Sequence, residues 1–506
     1  MNKLGESAVL VEVYGRTGCA DTQMSRHLLE RASVSYKWLD VEKDPSVVEQ
    51  AMAINGGVTR WPTIAIGRDV LVEPSASDLR RALARDGQFA VDSTSYERVP
   101  VPVAGPPKSH MDHVLRRLRD EMERTGMDAL VAVGAENTYY MSGWASPSAY
   151  RHGGTGLTAC ILFKDEAAGR VLVESEYWAP SAPRYDDLEI LTYPTFIFID
   201  NPHGIPGVAL DPELSPEPSI EAATAKILAA LQRDSNCRVV GIDRHFLRVD
   251  SWEGLNESGK YQFVDATGSF FAARARKSPW EIERLIEAHD ITENGVRHCL
   301  GLLEEGISSH DLQREFTRFC FSDPRTTDVR FSQILISPDF APSYFPAREL
   351  PLERGQIIKF DLGAEVLGYG ADIARTYAFG DPDAATARTY ETMVAANEAV
   401  MQGLEIGRPL SDLFREGIAA ARGKGIPTYD RGHVGHSVGL ARAVEEWPQV
   451  SAHAESVVEP GMVLSLETPY HGYGVGGINI EDMVVINEGD IRVLTTLSKD
   501  LTSGAP

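Results

Sequence analysis

Asp361, Asp372, Glu467 and Glu481, with His436, have the composition of a site for two metal ions. Four carboxylates balance the charge of two divalent cations, and a single imidazole leaves room for a bridging water. Cations held in this way lower the pKa of that water until it is a nucleophile at neutral pH. Ligation so rich in oxygen suits Mn, Fe(II), Co or Zn better than a soft metal. Glu467 doubles as the group that takes the proton of the water.

Strands must place these groups. Residues 356–361 read as one strand and 369–376 as its return, with a tight connection ending near Gly368. A hairpin centred between Val366 and Leu367 sets Asp361 directly opposite Asp372, with Cβ atoms roughly 5 Å apart. Glu467 and Glu481 flank the glycine-rich stretch 472–477, which predicts a second hairpin that brings them together. The small neighbours of His436, Gly435 and Gly439 among them, let backbone approach a ligand closely. One acid in a strand is ordinary surface charge. Two apolar strand pairs, each carrying an acid at matched offsets, are a constellation.

The chain has 506 residues, enough for two or three domains, and 43% of them are hydrophobic, an ordinary globular share. A net charge of −24 argues against nucleic acid or an anionic membrane as partner. No apolar run is long enough for a transmembrane helix. The first residues lack a secretory pattern, which makes a cytoplasmic location the expectation. Five scattered cysteines, Cys19, Cys160, Cys237, Cys299 and Cys320, do not form a disulfide framework. The last four read as small buried apolar groups.

Residues 1–90 form a first domain: strand 8–14, loop 15–19, a helix carrying Met24, Leu28 and Leu29, strand 36–41, strand 61–67 and a closing helix 77–83. This order resembles glutaredoxin, a thioredoxin-like α/β fold, and Pro62 matches the cis-proline that faces its active cysteine. Cys19 is the candidate thiol. A helix N-terminus and nearby Arg16 favour its thiolate. Thr22 stands where a second cysteine would be, which excludes a two-thiol cycle within the motif. Chemistry with glutathione or another low-molecular-weight thiol, thiol carriage, or a structural or docking role stays open.

Residues 91–107 are a proline-rich linker, extended and stiff. In the next domain, 108–274, Ser109 is the expected cap of a helix with Met111, Leu115, Leu118 and Met122 on one face. Gly126 ends it, and 129–133 is a buried strand. Residues 275–506 open with Ser278, Pro279 and Glu281, the pattern of a capping box with proline in the first turn. The helix carries Ile282, Leu285 and Ile286, and Gly306 is the expected stop of a second helix.

The motifs around the five ligands are Phe360-Asp361-Leu362-Gly363, Ala371-Asp372-Ile373-Ala374-Arg375-Thr376, Gly435-His436-Ser437-Val438-Gly439, Glu459-Pro460-Gly461, Leu466-Glu467 and Ile480-Glu481-Asp482. In order and separation they resemble the creatinase, aminopeptidase P and prolidase family, over roughly residues 108–500. The resemblance implies an α+β pita-bread catalytic domain, a creatinase-type N-terminal domain, a dinuclear centre and a homodimer. It also implies that the N-terminal domain reaches the active site of the neighbouring subunit, with Arg151 and His152 as candidate substrate contacts. Arg375 is expected to orient Asp372.

Two departures from the family stand out. Its peptidases carry a His-Glu-x-Pro segment, whereas Glu445-Glu446-Trp447-Pro448 stands here. A second family histidine is replaced in the loop 341–346, where Tyr344 is the candidate substrate contact. His433 is then a candidate for proton transfer and Glu445 for a general base. The leading reading is a dinuclear metal hydrolase that cleaves a C–N bond in a small polar substrate or short peptide. The alternatives are elimination or oxidation of a small carboxylate in the same fold, and a redox-responsive binding protein with Cys19 as sensor.

Overall fold

A computed structural model describes residues 11–17, 19–31, 34–74, 78, 79, 82, 83, 105–151, 157–195, 220–341, 351–440 and 445–502. The chain divides into two compact units, Met1–Val99 and Pro100–Pro506.

The first unit is built on a four-stranded sheet in the order β2-β1-β3-β4: β1 (Val11–Gly15), β2 (Tyr36–Asp40), β3 (Thr63–Ile66) and β4 (Asp69–Val72). β1 runs parallel to β2 and antiparallel to β3. Alternation along β1 divides the core. Val11 and Val13 pack with Leu29, Ile64, Ile66 and Leu79, whereas Tyr14 joins Val47, Ala51 and Trp61 on the other face. The Trp61–Pro62 peptide is cis. β4 carries too weak a pattern to be read as a strand from sequence, since it is a four-residue edge next to a tight turn. Of the expected closing helix, Asp78, Leu79, Ala82 and Leu83 are helical. Residues 91–104 of the expected linker lie outside the described residues.

The second unit begins with a six-stranded sheet, β10-β9-β5-β6-β7-β8: β5 (Ala129–Ala132), β6 (Ala159–Phe163), β7 (Arg170–Ser175), β8 (Leu188–Tyr193), β9 (Val239–Ile242) and β10 (Gln262–Asp265). The helix Lys108–Thr125 packs against it. The expected Ser109 cap is corrected: Pro107 occupies the N-cap position without a side-chain hydrogen bond, and Ser109 already lies inside the helix. Gly126 closes the helix in the left-handed conformation, φ +74°.

The helix Pro279–Leu300 has the full expected capping box between Ser278 and Glu281. The expected second helix ending at Gly306 is also corrected: one continuous helix ends at Leu300 with Gly301 as its cap, Gly306 lies in the following loop, and the next helix is Ser309–Ser322. This helix crosses a nine-stranded sheet containing β11 (Asp328–Ile336), β12 (Ile357–Val366), β13 (Tyr369–Gly370), β14 (Ile373–Ala378), β15 (His433–Ser437), β16 (Glu446–Ser451), β17 (Val463–Glu467), β20 (Glu481–Ile486) and β21 (Ile491–Val493). Its central order is β12-β14-β20-β17-β15, so the strands that carry the expected ligands are neighbours. A small ribbon, β18 (Tyr470–Gly472) with β19 (Gly476–Ile478), joins β17 to β20. One apolar core runs from Leu115 and Leu118 through Leu285 to Phe360 and Met483 and ties both sheets of this unit together. Among the described residues no helix is long and apolar enough to cross a membrane.

Candidate metal centre

The first hairpin differs from expectation by one residue in its centre. Leu367 at φ +50° and Gly368 at φ +87° form a two-residue turn, and Val366 pairs with Tyr369. Asp361 therefore opposes Ala374, and Asp372 lies diagonally from it, just before β14. The direct opposition of Asp361 and Asp372 is corrected, although the two-residue periodicity leaves both on one face. The other pair falls as expected: Glu467 on β17 is directly opposite Glu481 on β20.

His433 and His436 are three residues apart on β15, which in a regular strand would send them to opposite faces. The register shifts between them, and Gly435 sits at φ +151° with the Ser465 carbonyl 2.6 Å from where a Cβ would stand. This irregularity, open only to glycine, puts the two rings 5.8 Å apart.

Asp372, His436 and Glu481 form a buried trio whose ligand atoms lie within 4.8 Å of one another. His436 Nδ1 is 3.1 Å from the Ser437 carbonyl, which can only accept, so Nδ1 carries hydrogen. Nε2 then aims its lone pair at Asp372 Oδ2, 3.4 Å away, and Glu481 Oε1, 3.7 Å away. Asp372 Oδ1 and Glu481 Oε1 accept no hydrogen bond. Acceptors converging without a donor fit a cation, and the second hydrogen bond of the imidazole fixes it as a ligand. Without an ion, protons take that place. Burial raises the Asp372 carboxyl to about 7, and burial with the nearby Asp372 charge raises Glu481 well above the usual range. Burial alone would lower the pKa of His436, but the two carboxylates raise it well above 6.5.

A second trio, His433, Glu445 and Glu467, lies nearer solvent. His433 Nε2 is 3.3 Å from Glu445 Oε2 and Nδ1 is 3.5 Å from Glu467 Oε1. The contact with His433, the largest influence, holds Glu445 at about 2, and Gln449 adds a hydrogen bond of 3.0 Å. A carboxylate that acidic is a weak proton acceptor and a good orienter of His433. Asn479 Nδ2 bridges the trios and donates to Glu467 Oε2 and Glu481 Oε2, each at 3.3 Å. Asp361 belongs to neither trio; its Oδ2 accepts from Lys359 Nζ at 2.9 Å.

The expectation that Arg375 orients Asp372 is corrected. The arginine pairs with Asp482 and donates from Nη1 to the Glu481 carbonyl at 2.8 Å. Its side chain points to the far face of β14, so it supports the Glu481 strand from behind. Glu446, beside Glu445, is buried against Arg274 and Lys277. Tyr344 and His152 lie outside the described residues. Arg151 ends the short helix Pro147–Arg151. In the first unit, the Cys19 thiol donates to the Trp61 carbonyl at 3.6 Å, directly before the helix Ala20–Arg31. The other four cysteines are buried and unbridged.

Sequence reading missed Lys359, Arg431, Asn479 and His471. Lys359 interrupts an apolar strand two residues before Asp361, a legible signal. Arg431 donates to Glu467 Oε1 at 2.8 Å. His471 on β18 feels the charges of Lys359, Arg431, Glu467 and Asp361, while burial, the larger effect, lowers its pKa.

Comparison with known proteins agrees with this fold. The profile of metallopeptidase family M24 matches residues 283–488, that of the creatinase/prolidase N-terminal domain residues 115–276, and that of glutaredoxin residues 11–71. The uncharacterized peptidase YqhT of Bacillus subtilis is 30% identical over 246 residues, 47% of this chain and 67% of its own length. An Xaa-Pro dipeptidase of Pyrococcus horikoshii is 26% identical over 395 residues, 77% of this chain and 99% of its own. The crystal structure of a prolidase from Pyrococcus horikoshii superposes with a TM-score of 0.61 at 21% identity, covering 77% of this chain and 99% of that one. The N-terminal domain of FACT complex subunit SPT16 from chickpea has the same fold, with a TM-score of 0.59 at 17% identity over 78% of this chain and 99% of its own. Likeness at this level identifies the pita-bread fold, and chemistry must be argued from the site.

Proposed function

The chain belongs to metallopeptidase family M24 and is a metal-dependent hydrolase, and from that premise we propose that it cleaves a C–N bond in a short peptide or a comparably small polar amide. The observation that carries this reading is the trio Asp372, His436 and Glu481, with buried oxygens that accept nothing and a nitrogen lone pair aimed between them. A divalent cation there (Mn, Fe, Co or Zn) supplies Lewis acidity toward the scissile carbonyl and toward water. A second cation, which the family resemblance implies, would have to draw on Asp361 and Glu467, and these already accept from Lys359 and Arg431.

The residues of the chain do the rest. Glu467 Oε1 accepts the proton of the attacking water. His433, 3.5 Å from that oxygen, passes it to the leaving nitrogen, and Glu445 holds the His433 ring in place. This arrangement substitutes for the histidine that Glu445 replaces. The proposal extends to a homodimer with the Arg151 region at the neighbouring site and to a low-molecular-weight thiol at Cys19, readable by sedimentation and by thiol exchange.

The test is incubation of the full chain, loaded with Mn²⁺ or stripped by chelator, with Xaa-Pro dipeptides and small amides, followed by product mass. Products that sum to substrate plus one water, formed only with metal, are expected. Products summing to the substrate alone identify elimination, and no turnover of any C–N substrate sinks the reading.

A further inference from the structure

Two of the five expected ligands already have a cationic partner. Lys359 and Asp361 are two apart on β12 and share a face. Lys359 Nζ donates to Asp361 Oδ2 at 2.9 Å, and the lysine side chain is only 3% exposed. Arg431 Nη2 donates to Glu467 Oε1 at 2.8 Å. Among the described residues, no lysine or arginine forms an ion pair with Asp372 or Glu481. Their partners are His436 and Asn479, and each keeps one buried oxygen that accepts nothing.

Charge then decides the ion count. Four carboxylates alone would offset two divalent cations, as the sequence suggests. With the ammonium of Lys359 and the guanidinium of Arg431 among them, two negative charges remain, which one divalent cation neutralises. A second cation beside Asp361 would have to displace a buried ammonium from its carboxylate, and a buried charge without its partner is strongly unfavourable. The ligand atoms divide in the same way: Asp372, His436 and Glu481 converge within 4.8 Å, and Asp361 is outside the group.

We propose that this chain holds one divalent cation per subunit, at Asp372, His436 and Glu481, and that the Lys359 ammonium takes the place of a second cation beside Asp361. The proposal rests on the metal-dependent reading above. Lys359 is then a specificity-determining residue, because it offers fixed hydrogen-bond donors and one charge where a metal would offer open coordination.

The test counts ions. Full-length protein is equilibrated with Mn²⁺, freed of unbound metal by gel filtration and measured by elemental analysis and electron paramagnetic resonance. One Mn²⁺ per chain with the spectrum of an isolated ion is expected. Lys359→Met, which keeps the chain length and removes the charge, is expected to take up two and to show the spectrum of a spin-coupled pair. Two ions in the unaltered protein overturn the proposal and leave the hydrolase reading standing. A folded Lys359→Met protein that still holds one ion removes Lys359 as the cause. Lys359→Gln serves if the methionine variant does not fold, and the count on the unaltered protein needs no variant. A chain that binds no Mn²⁺ overturns the metal-dependent reading and this one with it.

Discussion

The inner trio, Asp372, His436 and Glu481, and the outer trio, His433, Glu445 and Glu467, share β15 and meet opposite electrostatic fates. β15 gives one histidine to each, and the pair Glu467 and Glu481, facing each other across β17 and β20, gives one carboxylate to each. The inner trio is buried, with no lysine or arginine ion pair among the described residues and with acceptors left over. The outer trio is half-open, and Arg431 offsets Glu467. Burial without countercharge makes a place for an ion. Exposure with countercharge leaves groups free to hold and pass protons. Two histidines three residues apart thus serve different chemistry because of their surroundings, not their type.

The sharpest way to break this comparison is to remove one histidine from each trio. His436→Ala should cost the protein its bound metal and lower turnover by more than about a hundredfold, the ceiling for residues that only support ligands. Elemental analysis alongside initial rates checks it. His433→Ala should lower kcat on the order of a hundredfold to ten-thousandfold, the range for a lost proton-transfer group. Its metal content should stay that of the unaltered protein. If both variants lose metal equally, the two trios are one ligand set and the distinction fails.

How much of this was legible before the structure follows the distance over which each signal acts. The capping box of Ser278 and Glu281 is encoded within four residues and folded as read. The facing of Glu467 and Glu481 could be anticipated because a glycine-rich ribbon separates two apolar strands. The centre of the first hairpin could not, because Leu367 takes a positive φ that favours glycine, and no local pattern marks it. The partner of Arg375 was unreadable for a different reason. Asp482 is adjacent only through the pairing of β14 with β20, and the arginine turns to the face away from Asp372. Lys359 was visible as a charge in an apolar strand, but its meaning appears only once Asp361 is seen to share its face.

Asn479 joins the trios, and its loss sharpens the comparison from a third side. Asn479→Ala removes donors from both Glu467 and Glu481. Metal affinity should fall about 10–100-fold, the usual cost of an outer partner, as read by titration with Mn²⁺. An effect on turnover with unchanged affinity would place Asn479 with the outer trio alone.

The smallest expected effect is the most discriminating for mechanism. Glu445 lies 3.3 Å from His433, so it is either the base itself or the residue that holds His433. Its carboxyl is held at about 2, chiefly by the His433 contact, so it stays charged throughout the range where the enzyme can be assayed. A group that does not titrate there contributes no limb to the pH profile. Glu445→Gln keeps a hydrogen-bond acceptor for His433 and removes the charge. If Glu445 only holds the ring, kcat should drop by about tenfold, by the same factor at every pH from about 5 to 9, with metal content unchanged. A loss well beyond a hundredfold would make Glu445 the proton acceptor and return the outer trio to carboxylate chemistry, with His433 as its support.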